Sequence, residues 1–349
     1  MSAKDIFKYV GDLAQIAGIQ HVEFKSGRAK GVEAFEVRTG GGLTYTVLKD
    51  RCLDLAWAQF RDRSFGHISN TGVVAPAFFE PEEFGYFRSF TVGLLSTCGL
   101  TYCGAPCVDQ GKALGLHGRI GNTPAEETGY ETIREGDEIL FRIKGKVKEA
   151  TFFHEHLVLE REIISKFGEN KIYLKDRVVN RGFEKQPLMI LYHFNFGYPL
   201  LQEGTELIAS VRAVTPRDPR AKEGIDRYLE IERPQPGFAE QAYYLDLAAD
   251  AAGNTRIGLA QRKVGFGVYL KFNKKQLPRL IQWKQMGEGY YVMGLEPANC
   301  LPEGRAAERE RGDLQFIAPG ESREFHLEIG VLDEYEGEID RFKDEIKQV

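Results

Sequence analysis

Apolar and polar residues alternate along most of this chain. The segments AFEVRTGGGLTYTVLKDRCLDLAWAQF, EILFRIKGKVKEA, HEHLVLEREIISKF, KIYLKDRVVNRG and PLMILYHFNFG carry β-branched and aromatic residues at near period two. That period puts alternate side chains on opposite faces of a strand. Turn signals at Gly40-Gly41-Gly42, Gly136-Asp137, Gly168-Glu169-Asn170 and Gly182 interrupt the runs at short intervals and predict hairpins. The pattern resumes in NTRIGLAQRKVGFGVYLKF, residues 254–272. Short strands following one another favour an all-β fold, a large antiparallel β-sandwich, over a βαβ arrangement.

The period changes at the two ends. Ile6, Phe7, Val10, Leu13 and Ile16 recur at helical spacing behind Ser2 and Asp5, which predicts an amphipathic helix within residues 1–20. EYEGEIDRFKDEIKQV, acidic early and with Lys347 late, predicts a second peripheral helix over residues 335–349. Residues 215–237, TPRDPRAKEGIDRYLEIERPQPG, hold prolines and charges that interrupt any ladder and read as a long insertion. No repeat of fixed period is found, so a propeller or solenoid is not supported. A β-protein of 349 residues is within the range of one unit, and a single domain spanning 1–349 is expected.

A hydrophobic content of 42% with 28% charged residues describes a globular chain with ample core. The net charge of −5, with both signs interspersed, offers no basic stripe for a phosphate backbone and argues against nucleic acid as a partner. Lys4, Asp5, Lys8 and Asp12 break up the apolar residues of the N-terminus, so no signal-peptide core is read there. No run approaches the roughly 18 apolar residues of a membrane span. The expectation is a cytoplasmic protein with a small-molecule ligand and no membrane partner, and the sequence is compatible with a homo-oligomer. Cys98, Cys103 and Cys107 cluster, but not at the CxxC spacing of a zinc site, and with Cys52 and Cys300 they are expected to be thiols.

Three histidine- or glutamate-bearing segments stand out. LGLHGRIGNTPAE sets His117 among glycines at a turn, LYHFNFGYPLL holds His193, and YYVMGLEPANC holds Glu296. LGLHGRI, LYHFNFG, GLEPANC and the closing APGESREFHLEIGVL together resemble the aldose 1-epimerase family of the galactose-mutarotase-like superfamily, its uncharacterised bacterial branch in particular, over residues 37–332. The resemblance implies a sandwich with a sugar cleft on a concave face, no cofactor, and catalysis by His193 and Glu296 with His117 binding the sugar. Exchanging the anomers of an aldose needs a proton delivered to the ring oxygen and another taken from the anomeric hydroxyl. A histidine and a carboxylate raised by burial can do both, and His193 is expected as the acid and Glu296 as the base. His117 would polarise the opened oxygen.

Around this trio, Arg51 and Arg119 are expected to bind sugar hydroxyls or an anionic group. The superfamily's sugar-binding aspartate has no clear counterpart, and Gln241 in the Glu240-Gln241 pair is the substitute. Trp283, Tyr86 and Tyr243 are candidates for stacking on the sugar. Two alternatives remain at this level. One is a carbohydrate-binding or other sugar-modifying protein on the same fold. The other is a cupin-like metal-dependent isomerase using His154, His156 and Glu160, whose HxHxxxE spacing places the three on one strand face.

Overall fold

Every residue of the strand Met189–Phe196 is buried, which alternation alone explains only if both faces of its sheet are covered. In the computed structural model, which describes residues 3–348, this strand lies inside a six-stranded antiparallel sheet. The order is Val211–Pro216, Gln241–Leu247, Arg279–Gln285, Val292–Ala298, Met189–Phe196, Leu95–Leu100. Ile190, Tyr192, Phe194 and Phe196 enter the main core, while Met189 and Leu191 join Cys98, Ala242, Ile281 and Ala298 on the other face. By the same parity His193 belongs to that second face.

The main core is closed by two further sheets. An eight-stranded antiparallel sheet runs Ala125–Glu135, Glu138–Ala150, His156–Lys166, Lys171–Asn180, Ser322–Asp333, Phe266–Asn273, Asn254–Gln261, Glu206–Ala209. It contributes Phe141, Ile143, Leu159, Leu174, Leu327 and Ile329. A five-stranded sheet of residues 18–64 contributes Phe35, Val37, Tyr45 and Val47. The expected large antiparallel sandwich with short peripheral helices is what forms.

One buried ionic cluster ties the three sheets. Arg161, wholly buried, donates from Nη1 to Asp54 Oδ1 at 2.8 Å and from Nη2 and Nε to Asp176 at 2.7 and 2.9 Å. Tyr192 donates to Asp176 Oδ2 at 2.8 Å, and the Thr97 hydroxyl accepts from Arg161 Nη2 at 2.9 Å. Every charge in the cluster is paired, the condition under which burying it is tolerable. Because Thr97 and Tyr192 precede Cys98 and His193, the cluster also fixes the register of the strands that carry the cleft.

Three sequence expectations change. Residues 1–20 do not form one helix: beyond Met1 and Ser2, which lie outside the described residues, a turn of helix at Ala3–Ile6 is followed by a separate 3-10 turn at Leu13–Gln15 and then a strand from Gly18. Asp12 caps the second turn, accepting from Ala14 N at 2.8 Å, and with Gly11 before it interrupts the helical run. The C-terminal helix spans Glu338–Lys347, starting after Gly337 in the left-handed region and burying Ile339, Phe342 and Ile346; Val349 lies outside the described residues. Residues 215–237 are not a loose insertion. They finish the strand Val211–Pro216, form a helix at Pro219–Glu223 capped by Asp218, and bury Ala221 and Ile231 in the main core. Gln282 and Lys284 pin them by donating to the carbonyls of Tyr228 and Arg227.

Candidate functional site

The second face of the six-stranded sheet carries a cleft of about 190 Å³. His193 and Glu296 form its floor from neighbouring strands, with His193 Nε2 and Glu296 Oε1 3.2 Å apart. Phe90 and Trp283 stand edge-on to His193 at centroid distances of 5.5 and 5.4 Å, and His117 closes a third side at 5.8 Å. At the rim Glu240 accepts from Trp283 Nε1 at 2.7 Å and from Arg217 Nη2 at 3.0 Å. His117 Nδ1, His193 Nδ1 and Glu296 Oε1 are buried polar atoms without a hydrogen-bond partner in the protein, since the short His193–Glu296 contact is not aligned as one. Orphaned polar atoms on three residues that line one cleft are expected of a polar-ligand site.

His117 reaches this position from outside the sheet. Its backbone is left-handed, φ +58°, a conformation that costs a non-glycine residue of the order of 1 kcal/mol and needs support. The support is close backbone packing: His117 N donates to Gly104 O at 2.9 Å and its carbonyl accepts from Gly99 N at 3.0 Å. A Cβ on Gly118 would lie 2.2 Å from Gly99 O, and one on Gly115 2.0 Å from Pro81 O. The flanking glycines are therefore needed for packing. Underneath, Tyr86 is buried against the His117 ring at 5.3 Å.

Burial sets the protonation of the floor. Enclosed by three rings and beside His117, His193 is driven down to about 3 and rests neutral. Burial, with Cys98 and Glu240 nearby, pushes the Glu296 carboxyl well above the usual carboxylate range, against the pull of Arg217. Burial thus favours the neutral form of both groups.

Of the six expected site residues, His117, His193 and Glu296 converge and three do not. Arg51 is buried away from the cleft, donating to the carbonyls of Gly121, Val74 and Ser89 at 2.8, 2.8 and 3.0 Å, and so holds loops together. Gln241 points to the face opposite Ala242, against Gly224 and Tyr243, and it is Glu240, just before the strand, that meets the cleft. Arg119 lies beside Tyr102 and lines two neighbouring cavities. Trp283 does line the cleft, whereas Tyr243 is in the main core. Arg217 was missed because its segment, TPRDPR, reads as linker.

The cupin-like alternative does not assemble. His154 sits in the turn before the strand, and Glu160 is occupied by Arg177 and Arg181 at 3.0 and 3.1 Å. Among the described residues no group of three or more His, Cys, Asp or Glu side chains is placed to hold a metal ion. Cys98, Cys103 and Cys300 are buried together as free thiols beneath the cleft. Among the described residues no helix is long and apolar enough to cross a membrane.

The chain superposes over its whole length on 91% of a Klebsiella pneumoniae protein provisionally assigned as an aldose 1-epimerase, with a TM-score of 0.91 and 26% identity. A galactose mutarotase-like protein from Clostridium acetobutylicum matches 91% of this chain and 99% of its own, with a TM-score of 0.67 and 12% identity. The galactose 1-epimerase of Lactobacillus acidophilus covers the same shares with a TM-score of 0.60 and 12% identity. The curated proteins contain no sequence match. Residues 29–331 match the family described as a domain of unknown function, DUF4432. The chain belongs to the DUF4432 family, built on the aldose 1-epimerase and galactose-mutarotase-like sandwich.

Proposed function

We propose that the protein interconverts the anomers of an aldose by opening and reclosing the sugar ring, without a cofactor. The observation that carries this reading is the His193–Glu296 contact of 3.2 Å on the floor of a small cleft, with His117 at its side. In the opening direction Glu296 gives its proton to the ring oxygen as the bond from that oxygen to the anomeric carbon breaks. His193 takes the proton of the anomeric hydroxyl, and the anomeric carbon becomes an aldehyde. The order is the reverse of the sequence expectation; what supports it is burial, which favours the protonated Glu296 carboxyl and the neutral His193 imidazole. The step leaves a carboxylate beside an imidazolium at direct-transfer distance. Rotation about the bond between the first two carbons, then the same transfers run backwards, delivers the other anomer and restores the pair. His117 donates to the opened oxygen, and Trp283 and Phe90 keep water from the floor.

The test is anomer exchange followed by NMR on freshly dissolved α-sugars, with neutral, acidic and phosphorylated aldoses in the panel. Exchange well above the buffer rate is expected for at least one. His193→Asn and Glu296→Gln should each lower it by about 10²-fold or more with the fold intact. A panel in which no aldose exchanges faster than buffer rejects the reading, and a variant at the wild-type rate removes that residue from the mechanism.

A further inference from the structure

Phe84 and Phe87 stand at the mouth of the cleft as a parallel pair, centroids 6.1 Å apart and planes within 6°. They are 59% and 53% exposed, yet they are not loosely held. Phe84 precedes the 3-10 turn Gly85–Arg88 and Phe87 belongs to it, and the turn's Tyr86 is anchored under His117 and against Phe90. Single exposed aromatics are ordinary. A stacked aromatic pair fixed at the opening of a polar-floored cleft, with more than half of each residue exposed, offers an outer ring face to the apolar C–H face of a sugar ring. Phe84 is also a wall of a larger cavity of about 760 Å³, whose lining adds Tyr102, Arg119, Glu82 and Glu83. The reacting anomeric carbon must lie at the floor, in a cleft of only about 190 Å³. A longer ligand would leave that cleft past the phenylalanine pair and enter a cavity equipped with hydrogen-bonding groups.

We infer that the substrate is the reducing end of a di- or oligosaccharide, with the terminal ring in the cleft, the next ring stacked on Phe84 and Phe87, and Arg119 with Tyr102 meeting the hydroxyls beyond. The inference rests on the proposed sugar chemistry for its direction. It gives Arg119 a place in recognition although it does not line the cleft itself.

Binding to the Glu296→Gln protein is measured by calorimetry for glucose and for maltose, cellobiose and lactose, which all end in glucose, and anomer exchange of the same sugars is followed by NMR with wild type. At least one disaccharide should bind about tenfold more tightly than glucose and show a kcat/KM about tenfold higher, through KM. The combined Phe84→Ala and Phe87→Ala substitutions should bring that preference to within about twofold, and the Phe84→Tyr with Phe87→Tyr protein, which keeps both ring faces, should retain it. Equal affinity for glucose and every disaccharide, no binding of any of them, or a preference that survives the alanine pair overturns the inference. The two readings fail separately. A length preference in binding without exchange leaves the subsite and removes the mutarotase reading, whereas exchange without length preference does the reverse.

Discussion

Replacing Glu296 by glutamine removes a titrating proton from the floor of the cleft while nearly preserving its shape. In the folded protein burial holds this carboxyl protonated well above the usual range, whereas in the unfolded chain it ionises near its ordinary value. The folded state therefore keeps a proton that the unfolded state releases, so wild-type stability falls as pH rises above the unfolded value until the folded group itself ionises. The count is unchanged if the proton has passed to His193, since the pair still holds it. Relative to the glutamine variant, which has no such proton, wild type should lose stability as the pH rises from 5.5 to 7.5, with a slope of at most about 1.4 kcal/mol per pH unit, that of one proton. Other titrating groups act equally on both proteins and cancel in the difference. Urea unfolding of both proteins at the two pH values, followed by tryptophan fluorescence, gives the quantity directly. A stability difference that does not change with pH would mean that Glu296 is ionised beside a neutral His193, and the proton inventory of the proposed mechanism would be wrong.

The pH profile of anomer exchange should show no inflection from His193 between about pH 5 and 7, because that imidazole is driven down to about 3; activity should fall on the alkaline side, as Glu296 loses its proton. A rise through an ordinary histidine pKa that Glu296→Gln abolishes would contradict this. Arg161→Met leaves Asp54 and Asp176 buried without their partner and should cost about 3–5 kcal/mol in chemical denaturation; a loss below about 1 kcal/mol would remove the cluster as the tie between the sheets. Gly118→Ala forces a Cβ to within 2.2 Å of Gly99 O in a left-handed backbone, φ +80°, and should displace His117, seen as lost exchange activity with the circular dichroism of the sheets retained. Unchanged activity would show that this turn adjusts without moving the histidine.

The cleft residues were legible through the resemblance carried by LGLHGRI, LYHFNFG and GLEPANC, and for His193 strand parity agrees with it. In YHFNF the alternation that sends Tyr192, Phe194 and Phe196 into the core assigns His193 to the opposite face before any partner is known. The same rule holds one residue ahead of the next strand: Glu240 shares the cleft face with Ala242, while Gln241 is turned with Tyr243 to the other face, against Gly224. Arg51 and Arg161 look alike in sequence, each an arginine among strand residues. Their partners are carbonyls of distant loops in one case and carboxylates of two sheets in the other. Nothing within a few positions of either residue marks that difference.

The sequence by itself determined the fold class and the positions of the strands, because hydrophobic period is written locally, and the resemblance of its short motifs to a known family singled out the three residues on the cleft. Only the tertiary structure decided the burial that favours the neutral forms of His193 and Glu296, and the exclusion of Arg51 and Gln241 from the cleft. Those depend on how completely water is removed and on which groups replace it. Desolvation is a property of the enclosing surfaces, and here they come from segments as far apart in the chain as Phe90, His117 and Trp283.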